Sequence, residues 1–342
     1  MSDRLTTRIG ALTLPNPVIC GSGEPVMTEA GIRAALAAGA AGVIAKSVNE
    51  RPEAGRQLDL ADYVTLDVAG ARCLFNRSGL TFRETRDWFQ SIAAIDRDAA
   101  RMGRFVAASI VFAGAEGAVA IAGMARAAGL RVLELNVGAP HASEAAAGAI
   151  AQETDPARLR ALVTEVRRAA GGMALWVKLT GLSPDLPALA TAARDGGADA
   201  VCMMGRFMAM MPDLETFAPV LGTSAAYGGG WALPIVCRFL ALSRRAAGAD
   251  FPLMGTNGAR SGQDVARMAL AGASGVEVLS IVMHEGFGAL SRMIAELDAF
   301  LLSRALRFPD LVGRTADQLT AYAAQPPVPG RWRDFVPPET LA

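Results

Sequence analysis

The sequence predicts an α/β fold, a (β/α)8 TIM barrel, and three observations lead to this prediction. A helical apolar pattern, a Gly-Ala or similar pair and a short aliphatic run recur at AAGAAGVIAKS, AAGLRVLELN, DGGADAVCMM and LAGASGVEVLS. Filling in between these segments gives eight strand–helix units in 342 residues, which is the usual pattern and length of such a barrel. No GxGxxG follows the first strand, which disfavours an open doubly wound sheet.

The repeat predicts the strands and helices along the chain. Its glycines can end helices in the left-handed conformation, and its aliphatic runs are typical of buried strands. Strands are predicted at 16–22, 42–47, 105–111, 131–137, 174–180, 199–204, 252–257 and 276–281. Helices are predicted at 28–39, 81–101, 115–128, 155–170, 185–195, 231–247, 261–271 and 286–302. The barrel is expected to occupy 1–303, followed by a helical and proline-rich extension, 304–342, that lies across the barrel or a neighbouring subunit.

Two segments interrupt this rhythm, 50–80 after the second strand and 206–230 after the sixth. Long loops on the active face of a barrel usually serve as lids or substrate walls. Both segments are therefore expected to border the functional site.

The composition indicates a well-packed soluble protein, with 52% hydrophobic and 19% charged residues. The net charge is +0, so neither nucleic acid nor an anionic membrane is an expected partner. The start, MSDRLTTRIG, lacks the apolar core of a secretory signal, and no CxxC spacing occurs. We therefore expect a cytoplasmic protein with free thiols and no metal site.

Lysine is rare in this chain. Lysine and arginine total 33, and only two of these residues are lysines, Lys46 and Lys178. Both end predicted strands, and the carboxyl ends of strands are where a barrel places its chemistry. A lysine that persists against such an arginine bias suggests a need for a compact, titratable ammonium, although both could be leftover surface lysines.

A glycine-rich turn, LMGTNGARSGQD, follows the seventh predicted strand. It carries Gly255, Gly258 and Gly262, and the eighth strand ends in Leu279-Ser280. In barrels these two loops commonly hold a phosphate on backbone N–H groups, although an ordinary strand–helix turn also contains glycine. Together with the lysines, the turn suggests a phosphorylated cofactor, and one lysine could face the pyrimidine edge of a flavin.

From about residue 5 to residue 302 the chain resembles the FMN-binding barrel of dihydroorotate dehydrogenases and dihydropyrimidine dehydrogenase. The resemblance is carried, in chain order, by NPVICGSG, AGVIAKSVNERPEAG, FNRSGL, WVKLTGLSPD, YGGGWALPIVCRFLA and MGTNGARSGQDVARMALAGASGVEVLS. It implies FMN as the cofactor, with contacts at Gly21, Ser22, Lys46, Ser47, Asn136, Lys178, Gly229, Gly255, Asn257, Gly258, Leu279 and Ser280. It implies substrate contacts at Asn76, Gly79, Leu80, Asn136, His141 and Arg206.

One strand departs from that family at its reactive position. The family reads N-L-S-C-P-N or N-L-S-C-P-H, and its cysteine, or serine in some relatives, is the general acid/base. This chain reads LELNVGAPH, so Ala139 stands at that position, and a methyl group cannot transfer a proton. The family's polar pair after strand 6 aligns with Gly205-Arg206. Recognition of orotate or uracil is therefore not expected.

The sequence thus predicts an FMN-dependent oxidoreductase acting on a CH–CH group of a small cyclic or carboxylated molecule other than orotate or uracil. The candidate catalytic residues are His141 for a proton, Arg206 for a substrate carboxylate and Lys178 for the reduced flavin. A structural role for His141 and a solvated position for Arg206 remain open. So do two different functions, an oxidase or monooxygenase that uses dioxygen and a non-catalytic flavin-binding protein. Expected partners are the substrate, a separate electron donor or acceptor, and a second copy in a homodimer.

Overall fold

The computed structural model describes residues 3–68, 70–139 and 150–341, and a closed barrel of eight parallel strands lies at its centre. Strands β1–β14 and helices α1–α10 are numbered in chain order. The barrel strands are β3 (Val18–Cys20), β4 (Gly42–Ile44), β7 (Phe105–Ile110), β8 (Val132–Asn136), β9 (Ala174–Lys178), β10 (Ala200–Met203), β13 (Leu253–Thr256) and β14 (Ala273–Val278). They pair in chain order, and β14 closes the ring by pairing with β3. The predicted (β/α)8 barrel is confirmed.

Helices surround the barrel, and each predicted helix has an observed counterpart. They are α1 (Glu29–Ala37), α3 (Thr85–Ala100), α4 (Ala115–Ala127), α5 (Pro156–Ala170), α6 (Leu186–Asp195), α7 (Leu233–Ala247), α8 (Gly262–Leu270) and α10 (Gly288–Ser303), with the shorter α2 (Pro52–Arg56) and α9 (Ser280–Glu285). Side-chain oxygens of Thr28, Asp155, Asp185 and Ser261 accept hydrogen bonds from amides in the first turns of α1, α5, α6 and α8. These caps satisfy donors that a helix start leaves without partners, and they fix where each helix begins.

The last barrel strand lies earlier than predicted. The prediction was 276–281, whereas β14 spans Ala273–Val278 and Ser280 already begins α9. Gly275, inside β14, has no side chain, and an added Cβ would lie 2.6 Å from Ile9. This close approach explains why a residue without a side chain stands inside the strand.

The two interrupting segments form a sheet that the sequence did not predict. They contribute β5 (Asp62–Val68), β6 (Ala71–Arg77), β11 (Phe207–Ala209) and β12 (Ala225–Gly229), which pair antiparallel in the order β11-β12-β6-β5. Asn76 on β6 pairs with Ala226 on β12. This covering sheet of β5, β6, β11 and β12 therefore joins the loops after the second and sixth barrel strands into one structure.

The opposite, amino-terminal end of the barrel is filled by apolar side chains. A hairpin of β1 (Thr7–Ile9) and β2 (Leu12–Leu14) places Ile9 and Leu14 in a cluster with residues of the barrel interior. In that cluster Phe105 packs edge-on against Trp176, with ring centroids 5.0 Å apart. This end is closed by packing, so a site can form only towards the carboxyl ends of the strands.

The segment after α10 is only partly packed. Phe308, Leu311 and Ala316 are buried, and the amide of Gly313 donates to the carbonyl of Ala269 at 2.8 Å. From residue 320 onwards the side chains are almost all exposed. The division at residue 303 stays a prediction. In the described ranges, no helix has the length and apolar character needed to cross a bilayer.

Candidate active site

A cavity lies at the carboxyl ends of the barrel strands, and it encloses about 1130 Å³ including its open mouth. The site residues predicted from the sequence that line it are Gly21, Ser22, Lys46, Ser47, Gly79, Leu80, Asn136, Lys178, Arg206, Asn257, Gly258, Leu279 and Ser280. Residues distant in sequence therefore meet at one end of the barrel, as the strand-end pattern predicted.

Three predicted site residues lie elsewhere. Successive residues of a strand point in opposite directions, and Met254 of β13 points into the interior cluster. The next residue, Gly255, therefore faces the helices, and a Cβ added there would lie 2.6 Å from Met268 of α8. Gly229 pairs with Cys73 in the covering sheet, and its amide donates to Asn257 Oδ1 at 3.4 Å. Asn76 is 1% exposed and lies behind the cavity wall. His141 lies outside the described residues.

Lys178 is held between two buried acids. Its Nζ donates to Glu134 Oε2 at 3.3 Å and also to Glu277 Oε2. Burial alone would lower the pKa of Lys178, but the two carboxylates more than offset it, so the pKa is raised and the ammonium is retained. Burial, and then the charge of Glu277, raise the pKa of Glu134 to about 8.

A row of serine hydroxyls connects this cluster to another wall of the cavity. Ser109 Oγ donates to Glu134 Oε1 at 3.0 Å and lies 2.8 Å from Ser47 Oγ, which lies 3.1 Å from Ser22 Oγ. Ser22 and Ser47 line the cavity, whereas Ser109 and Glu134 lie beneath it. The row provides a continuous hydrogen-bonded connection from the cavity surface to a fully buried carboxyl group.

Lys46 is paired with an acid of its own. Its Nζ lies 2.8 Å from Glu24 Oε1, and its backbone carbonyl accepts a hydrogen bond from Trp88 Nε1 at 3.1 Å. Burial lowers the pKa of Lys46, and the charge of Glu24 opposes this effect. The side chain is therefore fixed on the cavity wall with its charge largely compensated.

Arg206 is positioned by neutral partners. Its Nη1 donates to Asn76 Oδ1, and its Nη2 donates to Ser78 Oγ at 3.0 Å. Burial lowers the pKa of Arg206, yet a guanidinium keeps its proton in proteins. Among the described residues no carboxylate forms an ion pair with Arg206, so its positive charge is available to an anion in the cavity.

Ala139 lies in an apolar part of the wall. It is 7% exposed and clusters with Ala54, Leu80, Val111 and Ile150. Asn136, on the same strand end, lines the cavity, and its side-chain oxygen accepts a hydrogen bond from the amide of Gly138 at 3.0 Å. Ala139 therefore contributes an apolar patch to the cavity wall.

At the start of α8, backbone amides already donate to side chains of the protein. The amide of Gly262 donates to Glu296 at 2.7 Å, and the amides of Arg260 and Asp264 donate to Asp264 Oδ2 and Ser261 Oγ. The parts of the two loops that line the cavity are Asn257–Ala259 and Val278–Ser280. An anion in this corner would therefore meet the earlier part of the turn.

Four functional candidates were missed from the sequence: Glu24, Ser78, Glu134 and Glu277. A signal existed for two of them, because Glu134 and Glu277 interrupt the aliphatic strands LELN and VEVL, and fully buried acids are rare unless they are paired. Glu24 and Ser78 lie in loops, where the same residue types are ordinary. Their roles follow only from the contacts with Lys46 and Arg206.

The comparisons with known proteins agree with this architecture. A family model described as dihydroorotate dehydrogenase matches residues 4–301. The catalytic subunit of dihydroorotate dehydrogenase B (NAD(+)) from Methanocella arvoryzae is 29% identical over 310 residues, which are 91% of this chain and 97% of that protein. The corresponding Methanosarcina acetivorans subunit is 30% identical over 292 residues, 85% of this chain and 89% of that protein.

A shorter match covers part of the barrel. Dihydroorotate dehydrogenase A (fumarate) from Limosilactobacillus reuteri is 30% identical over 161 residues, which are 47% of this chain and 51% of that protein. The family model and the longer matches extend over almost the entire barrel, including every strand end that lines the cavity. On this basis, the chain belongs to the dihydroorotate dehydrogenase family.

Proposed function

We propose that this protein is an FMN-dependent oxidoreductase that exchanges a hydride, through flavin N5, with a small carboxylated molecule other than orotate. The observation that carries the proposal is the combination in one cavity of Arg206, which forms no ion pair within the described residues, with an apolar surface at Ala139. The first favours an anionic substrate, and the second removes the acid/base on which turnover of dihydroorotate is expected to depend.

The residues present fit FMN. Asn257 Nδ2 and Glu277 Oε1 are buried without hydrogen-bond partners in the described chain, and such groups fit the donors and acceptors of a flavin ring and its side chain. Gly258 has a φ of 111°, and a Cβ there would lie 2.6 Å from the amide nitrogen of Leu233. The missing side chain lets this turn lie against the start of α7, and its residues Asn257–Ala259 line the cavity, where they could contact a phosphate.

FMN, when bound, supplies the hydride chemistry, and this chain supplies binding, orientation and charge. Lys178 would hold the pyrimidine end, because its ammonium is retained between two carboxylates. Asn257, Gly258 and Ser280 would hold the phosphate end. Arg206 would orient the substrate carboxylate, since Asn76 and Ser78 fix its guanidinium.

The proton of the reaction needs another donor or acceptor. His141 follows Ala139 by two residues, and an imidazole has a pKa suited to proton transfer near neutral pH. We assign this proton to His141. The relatives named as catalytic subunits further suggest a separate electron carrier for this chain, and a homodimer is the expected assembly.

The proposal is tested by anaerobic reduction of the bound flavin. The protein is mixed with dihydroorotate and, separately, with a set of cyclic carboxylates, and bleaching of the oxidised flavin is followed. Reduction by a cyclic carboxylate, with dihydroorotate slower by roughly 10²–10⁴-fold because the acid/base is missing, is the expected result. Rapid reduction by dihydroorotate would show that the activity of the named relatives is kept.

A further inference from the structure

The floor of the cavity contains an unbalanced set of buried charges. Glu134 and Glu277 are 0% and 1% exposed, and Lys178 is the described cation within ion-pair distance of them. With all three groups ionised, the cluster has a net charge of −1 inside the barrel. An uncompensated buried charge is costly, and one additional proton on a carboxylate would bring the net charge to zero.

Glu134 is the carboxylate that the row of serine hydroxyls reaches, because Ser109 Oγ lies 3.0 Å from Glu134 Oε1. It lies beneath the cavity surface, and its raised pKa agrees with a retained proton. The other ionisable neighbours are the buried thiols Cys202 and Cys20, whose pKa values are raised by burial and by the charge of Glu277. These thiols stay neutral, so they do not offset the negative charge.

Of the two hydrogen-bond partners of Glu134, Lys178 and Ser109, the serine is the one suited to pass a proton to the cavity. Lys178 has no lone pair as an ammonium, and it could relay a proton only by first giving one up between two carboxylates. Hydroxyl groups donate and accept at the same time. Ser109, Ser47 and Ser22 follow one another at 2.8 and 3.1 Å, and the last two line the cavity.

We propose that the Glu134–Lys178–Glu277 cluster holds one exchangeable proton on Glu134, and that the hydroxyls of Ser109 and Ser47 carry this proton between Glu134 and the cavity. In uptake, Ser47 receives a proton from the cavity and passes its own to Ser109, which passes its own to Glu134. One proton moves and no heavy-atom bond changes. The charge of the cavity floor is thereby adjustable, whatever molecule binds above it, and this inference does not depend on the proposed function.

The experiment is an infrared titration of the folded protein as purified, followed by rapid pH jumps. A protonated-carboxyl band is expected to persist above pH 6 and to disappear with a midpoint of about 8. The band should be absent in Glu134→Gln. In Glu277→Gln, which keeps Glu134, its midpoint should fall because the repulsion by Glu277 is removed.

The route is tested with Ser109→Ala, and Ser243→Ala is the control because Ser243 is a buried serine outside the cluster. After a pH jump, the band should decay more slowly in Ser109→Ala, by about tenfold or more, and at the wild-type rate in the control. No protonated carboxyl above about pH 6 in the folded wild type would overturn the proton site. Equal decay rates in Ser109→Ala and the wild type would overturn the route.

Discussion

Ala139, which the resemblance aligns with the family's acid/base, lies in a buried apolar cluster. Leu80, Val111 and Ile150 pack around it, so the whole patch is apolar. A titratable group placed in such a patch would be disfavoured in its charged form. The apolar cluster would therefore disfavour a charged base at the position of Ala139.

Proton transfer at this end of the barrel can be tested by two variants at neighbouring positions. His141→Ala should lower turnover of the native substrate by roughly 10²–10⁴-fold and abolish a pH–rate midpoint near neutrality, because it removes the assigned proton-transfer group. Ala139→Cys should not raise native turnover. The rates are measured by flavin reduction at several pH values. An unchanged profile in His141→Ala would assign the proton to solvent or substrate.

Arg206 should determine the affinity for anions. Arg206→Gln should weaken binding of a carboxylate ligand by about 10–100-fold, since hydrogen bonds to a charged group contribute about 1.5–3 kcal/mol. Ligand-induced changes in the flavin absorption spectrum measure the affinity. Arg101→Gln is the control, because Arg101 is an exposed residue at the end of α3. Equal affinities in both variants would mean that Arg206 does not contact the ligand.

At the scale of the elements, the barrel was predictable because its pattern is local. Each glycine-terminated helix and each aliphatic strand is encoded within about 30 residues. The covering sheet was not predictable, since β6 pairs with β12, a partner about 150 residues away, and neither strand has a local pattern that names its partner. The strand ends indicated the cavity wall, and the acids inside two aliphatic strands, Glu134 and Glu277, were visible in the sequence, but their pairing with Lys178 across strands was not.

The turn after β13 should depend on glycine for two reasons that can be separated. Gly258 has a φ of 111° and a Cβ there would meet Leu233, whereas Gly248 has a φ of 96° and open space around it. Gly248→Ala should therefore cost only backbone strain, about 1 kcal/mol, and Gly258→Ala about 1–3 kcal/mol more. Denaturant unfolding measures both. Equal losses in the free energy of unfolding would mean that the chain at Leu233 shifts to accommodate the added methyl group without a further loss of stability.

At the scale of the molecule, the buried cluster should make stability depend on pH. The pKa of Glu134 is raised to about 8, so the folded state keeps a proton that the unfolded chain releases near its ordinary value. The contribution is complete below that ordinary value and is lost as the pH rises through about 8. Its upper limit is about 5 kcal/mol, at about 1.4 kcal/mol for each pKa unit between the ordinary value and about 8.

Glu134→Gln removes this contribution. The free energy of unfolding of the wild type relative to Glu134→Gln should therefore fall between about pH 5 and pH 9, as measured by urea unfolding of the flavin-free proteins. Glu165→Gln, on the exposed face of α5, is the control. If the difference in the free energy of unfolding between the wild type and Glu134→Gln stays constant over this range, Glu134 is ionised in the folded protein.

Whether this barrel holds FMN is measured most directly by the identity of the chromophore that heat releases from the purified, folded protein. We predict FMN, bound without a covalent link, because Lys178, Asn257 and Gly258 line one cavity. Mass spectrometry of the supernatant identifies the released molecule. FAD in its place, or a fully folded protein that neither contains FMN nor binds it when it is added, would contradict the account.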